Sequence, residues 1–227
     1  KTIINSIESQ KDRLIEISDN IWEAAEPALL EFKPSKYLSD YAEENGFRVT
    51  RGVAEIPTAF VAEFGSGKPV IGILGEFDAN PGISQKKQPT KEPLVKGAAG
   101  HGCGHNLFGT ASLAAAVAIK EQIEKGTLNG TVIFYGTPAE ETIFAKVWMV
   151  RAGLFDDVDV CMDWHPSDEV EAATQSSKAL VDFRLRFFGD ASHASGDPWN
   201  GNSAVDAMEL YTTGLNYYRE HVRPTAR

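Results

Sequence analysis

The chain has 227 residues, 42% of them hydrophobic and 24% charged, which excludes a disordered polypeptide and leaves room for one good core or two modest ones. A formal net charge of −10, with no dense cluster of lysine or arginine, speaks against nucleic acid, because phosphate binding calls for a basic footprint. No apolar run nears the roughly 20 residues that span a bilayer, and the two cysteines, Cys103 and Cys161, are too few for a disulfide scaffold.

From Thr2 to Trp22 the residues Ile3, Ile7, Leu14, Ile17 and Ile21 recur at helical spacing. The pattern predicts a helix packed by one face rather than a signal peptide, so the cytoplasm is the expected compartment. Ser35 to Asn45 reads as a second helix, with Ser35 as N-cap and Gly46 as its stop. Phe47–Thr50, Thr58–Phe64 and Pro69–Leu74 carry the β-branched and aromatic residues of strands, with Gly65-Ser66-Gly67 turning between the last two. Residues 76–104 form a long stretch rich in Gly, Pro, Lys and Gln without a period, and such loops in compact domains tend to be functional.

A strong helix is predicted over Ala111–Lys125, then a strand at 131–136, a helix at about 141–152 and a strand at 158–164 that carries Cys161 as a core residue. This alternation predicts an α/β fold with a central, mostly parallel sheet flanked by helices. Past residue 177 the texture changes. Leu180–Phe188 alternates apolar and charged residues, as a strand with one solvated face does, a loop with His193 follows, and Ser203–Val222 reads as a long amphipathic helix. The expected division is therefore a first domain over residues 1–177 and a smaller α+β unit over 178–227.

Three polar clusters stand at the ends of predicted core elements. Gly100-His101-Gly102-Cys103-Gly104-His105-Asn106 sets a thiol and an imidazole two residues apart in glycine-rich backbone, which lets one turn aim a soft sulfur and a borderline nitrogen at the same point. Thr137-Pro138-Ala139-Glu140-Glu141 follows the apolar run at 131–135, and Asp163-Trp164-His165-Pro166 follows the run at 158–162. In open α/β sheets the carboxyl edge is where ligands are held, so the three suggest one shared site. Cys103 as thiolate, His105, one carboxylate of the glutamate pair and His165 make a mixed ligand set suited to zinc or manganese. Two divalent ions roughly 3.5 to 4 Å apart can generate a nucleophilic water and stabilise the oxyanion of amide hydrolysis.

Ordinary readings compete with each piece. A glutamate pair at a helix start often serves the helix dipole, a histidine before proline is usually a loop residue, and His193 and His221 read as surface histidines. A phosphate cradle at the glycines is disfavoured, because no G-K-[ST] follows them.

These motifs, together with Ala191-Ser192-His193-Ala194-Ser195-Gly196-Asp197-Pro198-Trp199-Asn200-Gly201, resemble the aminoacylase and carboxypeptidase-like dinuclear metallopeptidases, and most of all the branch of aminobenzoyl-glutamate hydrolases and indole-acetyl-amino-acid amidohydrolases. The resemblance runs from about Ile15 to the last residue. It implies a zinc-peptidase-like catalytic domain holding two divalent metal ions, and a lid domain that also forms the dimer interface. Position by position it implies Cys103, His105, Glu141 and His165 as metal ligands and Glu140 as the general base on a metal-bound water. Asp78 matches an acidic residue that orients a metal-binding side chain, Glu76 falls where some relatives have a ligand, and His193 matches a lid histidine that assists catalysis in the partner subunit's site.

Departures are visible. Thr142-Ile143-Phe144 stands where relatives often carry glycines, and family members run well beyond this length to a final metal-binding histidine. The start at Lys1 without methionine and the stop at Arg227 raise the expectation of a truncated chain. The expected function is metal-dependent hydrolysis of an N-acyl or N-aroyl amino acid or of a dipeptide, on a small-molecule substrate, in a homodimer through the lid or a heteromer with a related subunit. The competing expectation is a catalytically silent subunit or inactive fragment that only binds a partner.

Overall fold

The computed structural model describes residues 2–172 and 178–226, and these fall into two compact units, Lys1–Glu169 and Val170–Arg227. The first is an α/β layer structure in the order α1 (Thr2–Ser9), α2 (Lys11–Ala24), α3 (Phe32–Glu44), β1 (Arg48–Arg51), β2 (Phe60–Ser66), β3 (Val70–Gly75), α4 (His105–Glu124), β4 (Gly130–Gly136), α5 (Ala145–Arg151) and β5 (Val160–Met162). The strands lie in the order β1-β2-β4-β3-β5. The sheet is mixed: β4, β3 and β5 run parallel, while β2 is antiparallel to β4 and β1 antiparallel to β2. Gly65-Ser66-Gly67 therefore does not close a hairpin, because β4 lies between β2 and β3.

One face of the sheet presents Phe60, Ala62, Val132 and Phe134 to the helices. Leu14, Ile17 and Ile21 of α2, Leu38 and Tyr41 of α3 and Leu113, Ala116 and Val117 of α4 complete this core. Their spacing of three and four residues is what lets each helix bury a single stripe. The opposite face carries Tyr135 beside Ala139, Ala145 and Met149, with Val61 and Ile133 half-buried. A concavity of about 540 Å³ lined by Val61, Ile133, Tyr135, Lys68 and Val158 opens on that face.

Several predicted elements shift. The expected helix over 2–22 is broken at Gln10 into α1 and α2, and Ile3 is exposed rather than packed. The second helix starts at Phe32 instead of after Ser35, with Ser35 buried inside it. Pro34 looks like a breaker in sequence, yet the first turn of a helix makes no use of its backbone N–H groups and tolerates proline there. Similarly α4 begins at His105, six residues before the predicted start, and α5 spans only Ala145–Arg151, so the glutamate pair precedes it. Cys161 is exposed, not a core residue, because β5 is a three-residue edge strand.

In the second unit the predicted strand at 180–188 does not form. Among the described residues there is no strand opposite it to share a ladder, and Leu180, Val181, Phe183 and Phe188 are exposed. The helix does form, as α6 (Ala204–Glu220), with Ser203 as N-cap accepting from the N–H of Asp206 at 3.1 Å. Among the described residues no helix is long and apolar enough to cross a membrane.

Candidate metal centre

Three parallel strands deliver the site. Glu76 and Asp78 follow β3, the turn at 137–144 follows β4, and His165 stands three residues past β5, all at the carboxyl edge. The N-terminus of α4 is brought to the same edge because Gly109 lacks a side chain: a Cβ there would lie 2.6 Å from the carbonyl oxygen of Glu76.

The donor atoms converge. Cys103 Sγ lies 3.3 Å from His165 Nε2, and Cys103, His105 and His165 each offer a ligand atom within 4.8 Å of the others. Glu76, His105 and Glu140 form a second such group. His105 Nε2 stands 2.9 Å from Glu76 Oε2 and 3.8 Å from Glu141 Oε1. His193 belongs to the second unit, where it is exposed and its Nδ1 accepts from the N–H of Gly196 at 3.0 Å. His221 is exposed at the end of α6.

Outer contacts fix the orientation of each donor. His105 Nδ1 donates to Asp78 Oδ1 at 3.0 Å, leaving Nε2 to face the cluster, and Asp78 Oδ2 accepts the N–H of Glu141 at 2.9 Å. His165 Nδ1 donates to the Pro166 carbonyl at 2.9 Å, which turns its Nε2 toward Cys103. Trp164, next to it, donates to Ser112 Oγ of α4 at 3.1 Å. Asn80 Oδ1 accepts the N–H of Cys103 at 3.1 Å. Gly104 holds a left-handed φ of 78°, and a Cβ on it would meet Pro166 Cγ at 2.9 Å, so glycine lets the Cys103 loop and the His165 loop touch.

Charge in the cluster is lopsided. Burial, reinforced by Glu141, Glu140 and Glu76, pushes the Cys103 thiol up to about 12. Burial acts to lower His105, but its contacts with Asp78 and Glu76 outweigh that and raise it to about 10. Burial and then the charge of Glu76 raise Glu140. Glu76 is itself buried, which opposes ionisation, yet His105 and Lys146 together hold it below the ordinary carboxylate range. Protons are thus drawn in to offset a negative potential.

A divalent cation fits this arrangement better than protons do. Among the described residues Glu76 Oε2, His105 Nε2 and Glu141 Oε1 are buried without a hydrogen-bond partner, the 2.9 Å approach of the first two being a contact without hydrogen-bond geometry. Buried polar atoms left unpaired are costly, and a metal shared among thiolate, imidazole and carboxylate would satisfy all of them.

Some of the machinery is not evident from sequence. Lys146 pairs with Glu76, and no motif marks it. His101, though inside the glycine motif, is an anchor and not a donor to the cluster: its Nε2 donates to the Ile21 carbonyl at 3.1 Å and its ring stacks on Trp22. The spacing of a solitary lysine or an inward-turned histidine carries no signal until the elements around it are placed.

The chain is similar to known proteins. The chain is 46% identical to one of the subunits of p-aminobenzoyl-glutamate hydrolase of Escherichia coli strain K12, over 99% of its own residues and 47% of that protein. It is 32% identical to the Xaa-Arg dipeptidase of Homo sapiens, over 97% of its residues and 50% of that protein, so the chain spans about half the length of these relatives. The fold superposes with a TM-score of 0.59 on the Bacillus subtilis YXEP protein, a dinuclear metal-binding peptidase, at 26% identity, covering 68% of this chain and 42% of that one. Residues 72–223 match the profile of peptidase family M20/M25/M40, a stretch that contains every donor of the cluster, and the chain belongs to that family.

Proposed function

We propose that the protein is a metal-dependent amidohydrolase that cleaves the amide of an N-acyl or N-aroyl amino acid, aminobenzoyl-glutamate-like in the first instance, or of a dipeptide. The observation that carries this reading is the convergence of Cys103, His105, His165 and Glu141 with Glu140 beside them. Cys103, His105, Glu141 and His165 would hold the metal, and Asp78 would keep His105 in its ligating orientation. Two divalent ions, zinc or manganese, supply positive charge for the oxyanion and acidify the attacking water when bound. The p-aminobenzoyl-glutamate hydrolase relative favours an aromatic acyl group, and the dipeptidase relative supports the peptide alternative.

In this reading Glu140 takes the proton of the attacking water and returns it to the leaving nitrogen, so that amine and carboxylate separate as products. His193 would steady the oxyanion or the substrate carboxylate from the lid of a partner subunit. The Escherichia coli hydrolase is named by its subunits, two of which are relatives of this chain, and that supports a heteromer, with a homodimer as the alternative. A thiol ligand at Cys103 supports a reducing compartment, the cytoplasm.

The test compares parent protein and Glu140→Gln for metal content and for release of aminobenzoate from aminobenzoyl-glutamate. Turnover in the parent, lost in the variant with metal retained, supports the proposal. Metal bound without turnover on any acyl amino acid or dipeptide favours a catalytically silent subunit.

A further inference from the structure

Glu31, the residue before α3, carries a carboxylate that the metal chemistry leaves unexplained. It is fully buried, and among the described residues no lysine, arginine or histidine pairs with it. Its Oε2 accepts the hydroxyl of Thr58 at 3.0 Å and its Oε1 accepts the backbone N–H of Ala139 at 2.8 Å. A carboxylate removed from water without a cation is expensive, and burial accordingly raises its affinity for a proton. Such a group is poorly accounted for as a contributor to stability.

What Glu31 holds is the turn next to the proposed base. Ala139 is buried and sits at a left-handed φ of 57°, a conformation that residues other than glycine seldom adopt. Glu140 follows it. On the far side the N–H of Glu141 is held by Asp78 at 2.9 Å. The backbone amides flanking Glu140 are therefore each gripped by a buried carboxylate, and the two carboxylates come from segments 47 residues apart, Glu31 and Asp78. We propose that Glu31 is a positioning residue, which by accepting the Ala139 N–H clamps, with Asp78, the strained turn that aims Glu140 into the site. This rests on the reading of Glu140 as base, but the clamp itself is a statement about the backbone of residues 138–144 and can be read without turnover.

The experiment compares parent, Glu31→Gln and Glu31→Leu in the purified protein by residue-resolved amide hydrogen exchange and metal content, with kcat and KM on aminobenzoyl-glutamate. Glutamine keeps an acceptor for Ala139, whereas leucine removes it. The leucine variant is expected to exchange its 139–144 amides about tenfold faster, the equivalent of one lost buried hydrogen bond, while glutamine stays near the parent. The same leucine variant should lose about 10- to 100-fold in kcat with KM and metal content little changed, and glutamine should restore it. Unchanged exchange in the leucine variant, or a glutamine variant as loose as leucine, overturns the proposal. In the parent alone, Ala139 must rank among the slowest amides of the turn, and fast exchange there overturns the proposal even where the leucine variant does not fold. A parent without turnover counts against the amidohydrolase reading, and the exchange data still decide the clamp.

Discussion

Asp78 and His105 are joined side chain to side chain: the imidazole Nδ1 donates to the carboxylate at 3.0 Å from a position where both residues are buried. Because a histidine has two ring nitrogens, tying one of them dictates what the other can do. Asp78→Asn keeps the size of the side chain but allows the amide to present a donor to His105 Nδ1. The variant is expected to bind zinc about 10- to 100-fold more weakly, measured by competition with a chromophoric chelator. Parent-like affinity would mean that Asp78 does not orient the ligand.

Cys103, not Cys161, is the expected thiolate donor. Cobalt(II) added to the metal-free protein should give a near-ultraviolet sulfur-to-metal absorption band, which Cys103→Ser abolishes and Cys161→Ser leaves intact. Cys161 lies on the edge strand β5, exposed and outside both donor groups. A band that vanished with Cys161 would relocate the site.

The pH dependence has a definite sign. His105 in the metal-free fold is raised from 6.5 to about 10. Its contribution to stability is therefore fully present below pH 6.5 and is lost as pH climbs through about 10. The melting temperature of the metal-free protein should fall over that interval, and His105→Asn should flatten the fall. Metal binding must expel the protons on His105 and on Cys103, whose thiol is pushed up to about 12, so affinity should rise with pH. Calorimetry in buffers of different ionisation heat would count the protons released, and none released would contradict the assignment.

Gly104 tests the junction of the two ligand loops. Gly104→Ala imposes a side chain at φ 78° and drives a Cβ to 2.9 Å from Pro166, whereas Gly82→Ala, at φ 80°, has nothing within 4 Å. The Gly82 change should cost about 1–2 kcal/mol, the price of a left-handed alanine, and the Gly104 change more than that in urea unfolding. Equal costs would show that the Pro166 contact yields freely.

The legible parts of this molecule are those whose signal is local. Apolar runs followed by Glu140-Glu141 and by His165 announce strands with polar ends, and β4 and β5 lie there, β4 buried and β5 exposed at the edge. The glycines around Cys103 announce unusual backbone, and Gly104 adopts it. What sequence could not supply depends on neighbours. Alternation at 180–188 describes a segment able to be a strand, but a strand exists only when another offers its hydrogen bonds. Glu31 looks in sequence like one more charged residue ahead of a helix, and its burial follows from packing against Thr58 and Ala139, residues 27 and 108 positions away. Cys161 looks apolar by its company, although an edge strand leaves it exposed.

A crystal of the zinc-soaked protein, with anomalous data collected on both sides of the metal absorption edge, locates the cation without reference to activity. Zinc is predicted within bonding reach of Cys103 Sγ, of the Nε2 atoms of His105 and His165 and of a Glu141 carboxylate oxygen, at one or both of the two proposed cation positions. No peak among these four side chains at saturating zinc, or a peak held by other residues, would contradict the assignment of this cluster as the metal centre.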